Sequence, residues 1–185
     1  MEKKGLSQTK VHIPTPDGIE KVHQQSFLGG WFTGHRSLNA AEILQLHFHF
    51  TGLAAAKEFY RSFAQTVDSK EVKQYFERGE TMIEKHLKIL QSHLAKDELS
   101  QIPTWESEIK ESTAAPFSEK LMLYKISVLS ASATGKYGMA ISSVMRKGVG
   151  LDLSRMMAEF LQYGEDGLNL MIERGHMDQI PLAKG

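Results

Sequence analysis

The stretch DELSQIPTWESEIKESTAA, residues 97–115, decides how this chain folds. It carries Pro103, Trp105 and the glutamates Glu98, Glu106, Glu108 and Glu111, and no apolar position in it recurs with a sustained helical period. On each side lie two long segments whose apolar residues return every three or four positions, the pattern of amphipathic helices. Residues 40–67 and 70–96 form one pair, and residues 116–146 and 151–175 the other. Fully extended, the 19 residues between the pairs reach about 60 Å. A helix of 27 residues is only about 40 Å long. The connection is long enough to run the full height of a bundle, with Ile102, Trp105 and Ile109 available to pin it.

Working outward, Asn39 with Glu42 three residues later is a capping-box variant that opens the first helix. Its inward stripe is Leu46, His49, Leu53, Ala56, Tyr60, Phe63 and Val67. Val67-Asp68-Ser69 then makes so short a turn that the next helix must lie antiparallel, with Ser69 as its N-cap. That helix turns Val72, Phe76, Gly79, Ile83, His86, Leu90 and Leu94 inward.

The third helix is expected to begin at Pro116 and to bury Phe117, Leu121, Tyr124, Val128, Ala131, Gly135, Gly138 and Met145. Gly148 and Gly150 are expected to break the chain. The fourth helix then carries Asp152 in its first turn and buries Leu153, Met157, Phe160, Gly164, Leu168 and Met171, with Gly175 as its C-terminal cap. Glycine inside a helix costs about 1 kcal/mol against alanine. The hairpin register sets Gly135 opposite Gly164 and Ala131 opposite Gly167, which suggests either close approach of the two helices or a gap for a small-molecule ligand.

Composition narrows the function classes. Lys plus Arg and Asp plus Glu number 22 each, so no basic footprint for nucleic acid exists at the level of the whole domain. With no cysteine, disulfides, thiolate metal sites and cysteine nucleophiles are excluded. No apolar run approaches the length of a membrane span, and the chain reads as soluble and cytoplasmic. Residues 37–185 make the bundle domain and residues 1–36 an N-terminal arm. Phe27, Leu28, Trp31 and Phe32 in the arm suit either docking on the bundle or an interface with a second copy or another domain.

The expected fold is therefore all-α, a ferritin-like four-helix bundle of two antiparallel hairpins joined by a long crossover. In such bundles a di-iron site uses Glu-x-x-His on two helices and a Glu on each of the others. Within the four helical segments no Glu is followed three positions later by His. A looser layer remains: His49 lies level with His86, and the crossover brings Tyr137 or Gly138 and Glu159 to the same height. His49, His86 and Glu159 are either the ligands of a single transition metal or core groups hydrogen-bonded to each other, to Tyr137 or to water.

The blocks QSFLGGWFTGHRSLNAAEI, TWESEIKEST, PFSEKLM, YGMAISSVMR and MAEFLQYGEDGLNLMIERG resemble a family of unknown function from spore-forming Gram-positive bacteria (Firmicutes). Some of its members are labelled spore coat proteins, and the resemblance covers roughly residues 20–181. It implies a ferritin-like fold and a unit that elsewhere occurs in tandem, and it implies no catalytic residues. The expected function is a non-enzymatic, spore-associated structural protein that self-associates, with a dimer favoured, and that has coat proteins as candidate partners. A metal-binding layer and a small-molecule site between the third and fourth helices are the alternatives.

Overall fold

A computed structural model describes residues 36–104 and 114–183, together with Gly18. Four helices follow in chain order: α1 (Ala40–Thr66), α2 (Lys70–Ala95), α3 (Glu119–Ser143) and α4 (Lys147–Glu173), with no strand among the described residues. α1 packs on α2 and α3, and α4 packs on α3 and α2, which closes a four-helix bundle. Ile102 at the start of the crossover is buried against it, whereas Trp105 and Ile109 lie outside the described residues. The arm aromatics Phe27, Leu28, Trp31 and Phe32 lie outside them too.

Local chemistry sets most helix ends. Asn39 and Glu42 form both halves of a capping box on α1. Ser69 and Ser118 accept from Val72 N and Leu121 N to cap α2 and α3, so α3 opens at Ser118 rather than at Pro116. Gly175, at φ +63°, closes α4 with His176 N donating to Met171 O, a Schellman-type end.

The break before α4 departs from expectation. Gly148 and Gly150 lie inside the first turn of α4, and the chain turns instead at Val144–Arg146. Arg146 has no side-chain cap of its own. The missing acceptor comes from α1: Glu42 Oε1 accepts from Met145 N at 2.8 Å and from Arg146 N at 2.6 Å. Its carboxylate also accepts from Asn39 N at 2.9 Å and from the Arg36 guanidinium at 2.6 and 2.9 Å. Burial is the largest influence on Glu42 and would raise its pKa, but these donors together hold it below the ordinary value.

Asp97 Oδ2 extends the same network, accepting from Leu38 N at 3.0 Å and from Arg146 Nη1 at 2.6 Å. The start of α1, the end of α2 and the α3–α4 turn therefore meet at one end of the bundle. At the other end Arg174, closing α4, reaches Ser69 Oγ and Glu71 on α2 and Glu119 on α3. The end of α2 and the start of α3 lie at opposite ends, as the long crossover requires.

The inward stripes expected for α1 and α2 are the buried ones, with Ala56 only partly covered. The stripe expected for α3 is wrong. Phe117, Leu121, Tyr124, Val128, Ala131, Gly135, Gly138 and Met145 are all exposed, and Met122, Leu123, Ile126, Ser130, Tyr137 and Ala140 are buried. The true stripe is displaced by about two positions, roughly 200° around the helix. α3 is apolar or small on both faces, so periodicity alone did not distinguish them. Gly135 consequently meets nothing within 4 Å, and the expected Gly135–Gly164 and Ala131–Gly167 contacts do not form. On α4, Leu168 is likewise exposed rather than buried.

Glu42→Ala would leave the amides of Met145 and Arg146 without their acceptor. We expect it to lower the free energy of unfolding by about 3 kcal/mol or more, measured by urea titration at neutral pH. Because the folded pKa is depressed, this contribution is present above the ordinary carboxylate value of 4.5 and is lost as acid protonates the group. The variant's deficit should therefore shrink at low pH.

Candidate functional site

Two polar layers cross the interior. In the first, the rings of Tyr75 on α2 and Tyr163 on α4 stack with centroids 4.3 Å apart and planes 9° from parallel. Each hydroxyl donates to the other residue's backbone carbonyl, Tyr75 Oη at 3.2 Å and Tyr163 Oη at 2.9 Å. Burial raises both phenol pKa values, so both stay protonated donors. One turn beyond each tyrosine sits a glycine: a Cβ on Gly79 would overlap the Tyr60 ring, and one on Gly167 would overlap the Tyr75 hydroxyl. These two, rather than Gly135, are the glycines whose place close approach explains.

Tyr75 and Tyr163 are 88 residues apart, and the same offset carries Gly79 to Gly167, Glu71 to Glu159 and His86 to Arg174. The ion pairs obey it as well. Arg174 reaches Glu71 at 2.9 Å, and His86 reaches Glu159 at 2.9 Å. Arg78 and Asp166, which exchange under the offset, pair with each other at 2.7 Å. α2 and α4 are thus related by a local two-fold axis through the tyrosine pair. The signal lies open in the sequence, where Glu71, Gln74, Tyr75, Glu77 and Gly79 return as Glu159, Gln162, Tyr163, Glu165 and Gly167.

The second layer holds the residues expected to form a metal site. His86 Nε2 and Glu159 Oε2 meet at 2.9 Å, and Lys85 Nζ shares that same oxygen at 2.5 Å. Burial, the largest influence, would raise the Glu159 pKa, but Lys85 and His86 together lower it. An ionised carboxylate only accepts, so the proton of His86 resides on Nε2 and its buried Nδ1 is left with no partner. Burial depresses the His86 pKa against the pull of Glu159, which keeps the imidazole neutral.

His49 does not join this pair. Its ring stacks on Tyr137 at 4.6 Å and 5°, while Tyr137 meets His86 edge-on at 6.4 Å. Among the described residues no three His, Asp or Glu side chains converge as a metal ion would require. The chain contains two Glu-x-x-His spacings. Glu20 and His23 lie outside the described residues, and Glu173 and His176 straddle the end of α4, with Glu173 exposed. Among the described residues the di-iron ligand set of ferritin-like bundles is not assembled.

Sequence reasoning missed a cavity of about 460 Å³ between α1 and α3. Leu44, Phe48, Leu53, Leu129 and Ala133 are among its walls, Ile83 and Phe160 lie on its α2 and α4 sides, and Ile102 of the crossover contributes as well. His49 and Tyr137 both line it, both are at most 4% exposed, and His49 Nε2 and Tyr137 Oη have no hydrogen-bond partner among the described residues. Burial, with a smaller push from Lys136, lowers the His49 pKa to about 4.

Residues 26–185 match the family described as a protein of unknown function, DUF3231, and the chain belongs to that family. Comparison with curated proteins gives no match. Among solved structures, the chain is similar to a Bacillus halodurans protein described as a "putative spore coat protein". The TM-score is 0.73 at 18% identity, over 81% of this chain and 98% of that one. It also resembles an Anabaena variabilis two-domain protein with DJ-1/ThiJ/PfpI-like and ferritin-like domains. There the TM-score is 0.60 at 11% identity, over all of this chain and half of that one. At these identities the likenesses establish the ferritin-like helical bundle. No described helix is long and apolar enough to cross a membrane.

Between pH 6.5 and about 4 the unfolded chain protonates His49 while the folded chain resists, so stability falls with acid over that window. The loss attributable to this residue is roughly 3 kcal/mol, and His49→Gln should remove it in urea titrations from pH 7 to 4. Gly167→Ala is expected to cost about 1–3 kcal/mol through overlap with Tyr75. Gly52→Ala, where nothing lies within 4 Å, should instead stabilise α1 by up to about 1 kcal/mol in the same assay.

Proposed function

We propose that this chain is a non-enzymatic, spore-associated helical building block that works by self-association through the outward face of α3. One observation carries the reading. Phe117, Leu121, Tyr124 and Val128, at spacings of three and four, are each between 47% and 55% exposed along that face. A contiguous apolar stripe of this kind marks an interaction surface more often than a solvated one. Two of the three lysines of α3 lie away from it, Lys125 and Lys136 over the rings of Phe59 and Phe48 on α1, and Lys120 stands exposed at its edge.

The stripe suits a second copy. Its first half is large and its second half, Ala131, Gly135 and Gly138, is small. Under a two-fold axis near Val128, Leu121 of one copy lies over Gly135 of the other, so bulk meets groove on both sides of the axis. A chain of zero formal net charge offers little repulsion to such pairing. The spore association is supported by the description of the Bacillus halodurans neighbour. A metal-centred reading of His49, His86 and Glu159 is not adopted, because the Lys85 ammonium occupies the carboxylate such a cation would need.

Light scattering coupled to size exclusion tests the association. The parent is expected to run as a dimer or larger species, and Leu121→Glu with Val128→Glu as a monomer of unchanged helical circular dichroism. A parent that stays monomeric at high concentration sinks the proposal. The spore role is read separately, by recovery of the parent in the coat fraction and its loss in the double variant.

A further inference from the structure

We infer that the cavity between α1 and α3 is a binding site for an aliphatic monocarboxylate, a ligand with a slender apolar body and an anionic head. The site does not depend on self-association, since its walls lie on a different face from the α3 stripe. Its volume of about 460 Å³ falls within the roughly 300–1,000 Å³ of small-molecule pockets. Along α1 the lining runs from Leu44 to Tyr60, about 24 Å at the helical rise, so the space is an elongated slot rather than a sphere. An extended chain fits a slot better than a compact ring system does.

The polar groups fix the head. Tyr137 is fully buried and its hydroxyl has no partner, and His49 Nε2 is buried and equally unpaired. Buried polar groups are nearly always hydrogen-bonded, so two orphans on residues lining one cavity call for an occupant. Lys136 lines the same cavity, with its Nζ 5.5 Å from the centroid of Phe48. The lysine can only donate, the tyrosine hydroxyl is free to donate, and a neutral imidazole can carry its proton on Nε2. Among the described residues no Asp or Glu lines the cavity. A ligand that accepts from all three and bears a negative charge is the complement, and a carboxylate has the oxygens for it.

The association is tested by calorimetric titration of the parent with decanoate kept below its micelle concentration. 1-Decanol serves as the chain without the charge and acetate as the charge without the chain. Decanoate is expected to bind at one site per chain, decanol about tenfold more weakly, and acetate not measurably. Lys136→Met and Tyr137→Phe should each weaken decanoate about tenfold and leave decanol unchanged; neither removes a packed contact of the core. Ala133→Leu, which narrows the slot, should weaken both. The Leu121→Glu, Val128→Glu protein should bind decanoate as the parent does, which separates this site from the α3 stripe. Absence of decanoate binding, or equal binding by the parent, Lys136→Met and Tyr137→Phe, would overturn the inference.

Discussion

One buried carboxylate organises this bundle. Glu42 caps the helix it belongs to and, from a distance of 103 residues in sequence, supplies the acceptor that the start of α4 lacks. The amino ends of α1 and α4 therefore converge on a single negative charge, and the partial positive charge of both helix dipoles favours it. Taking a carboxylate out of water is costly unless its lone pairs are filled. Here donors from Asn39, Met145, Arg146 and Arg36 fill them, and Asp97 carries the network on to the end of α2. The packing of four helices at that end rests on this ionised group.

The second organising element is the local two-fold between α2 and α4. A stacked tyrosine pair lies at its centre, each hydroxyl tied to the opposite backbone, and glycines provide the space. At equivalent places on either side, a glutamate meets a basic side chain: the Arg174 cation in one case and the neutral imidazole of His86 in the other. That substitution at His86 is what places an aromatic, uncharged layer of His86, Tyr137 and Phe160 beside the cavity, where an arginine would have brought a permanent charge.

Much of this was legible locally. Asn39 with Glu42, Ser69 and Gly175 mark helix ends by chemistry that acts over a few residues, and the stripe of α2 has a polar face against which to read the apolar one. Glu159 comes level with His86 because the long crossover reverses the second hairpin, whereas the short turn that sets His49 level with His86 leaves the His49 ring stacked on Tyr137. α3 was misread because both of its faces are apolar, so burial there is decided by which neighbours arrive. The α3–α4 turn was misplaced because its cap is tertiary, and glycines drew attention to the wrong residues. The cavity leaves no local trace at all: it is space left between Leu53 and Ala133, set by how far apart two backbones are held. The repeat of Glu71–Gly79 in Glu159–Gly167 was present in the sequence and needed only comparison of the chain with itself.

The two end networks have a consequence for motion. Helices ordinarily fray from their termini, where backbone groups lack partners. In this bundle the termini are fastened across helices, by Glu42, Asp97 and Arg146 at one end and by Arg174 at the other, while the middle contains unfilled volume and unpaired polar atoms. Fraying at these ends would therefore have to break tertiary hydrogen bonds as well as helical ones.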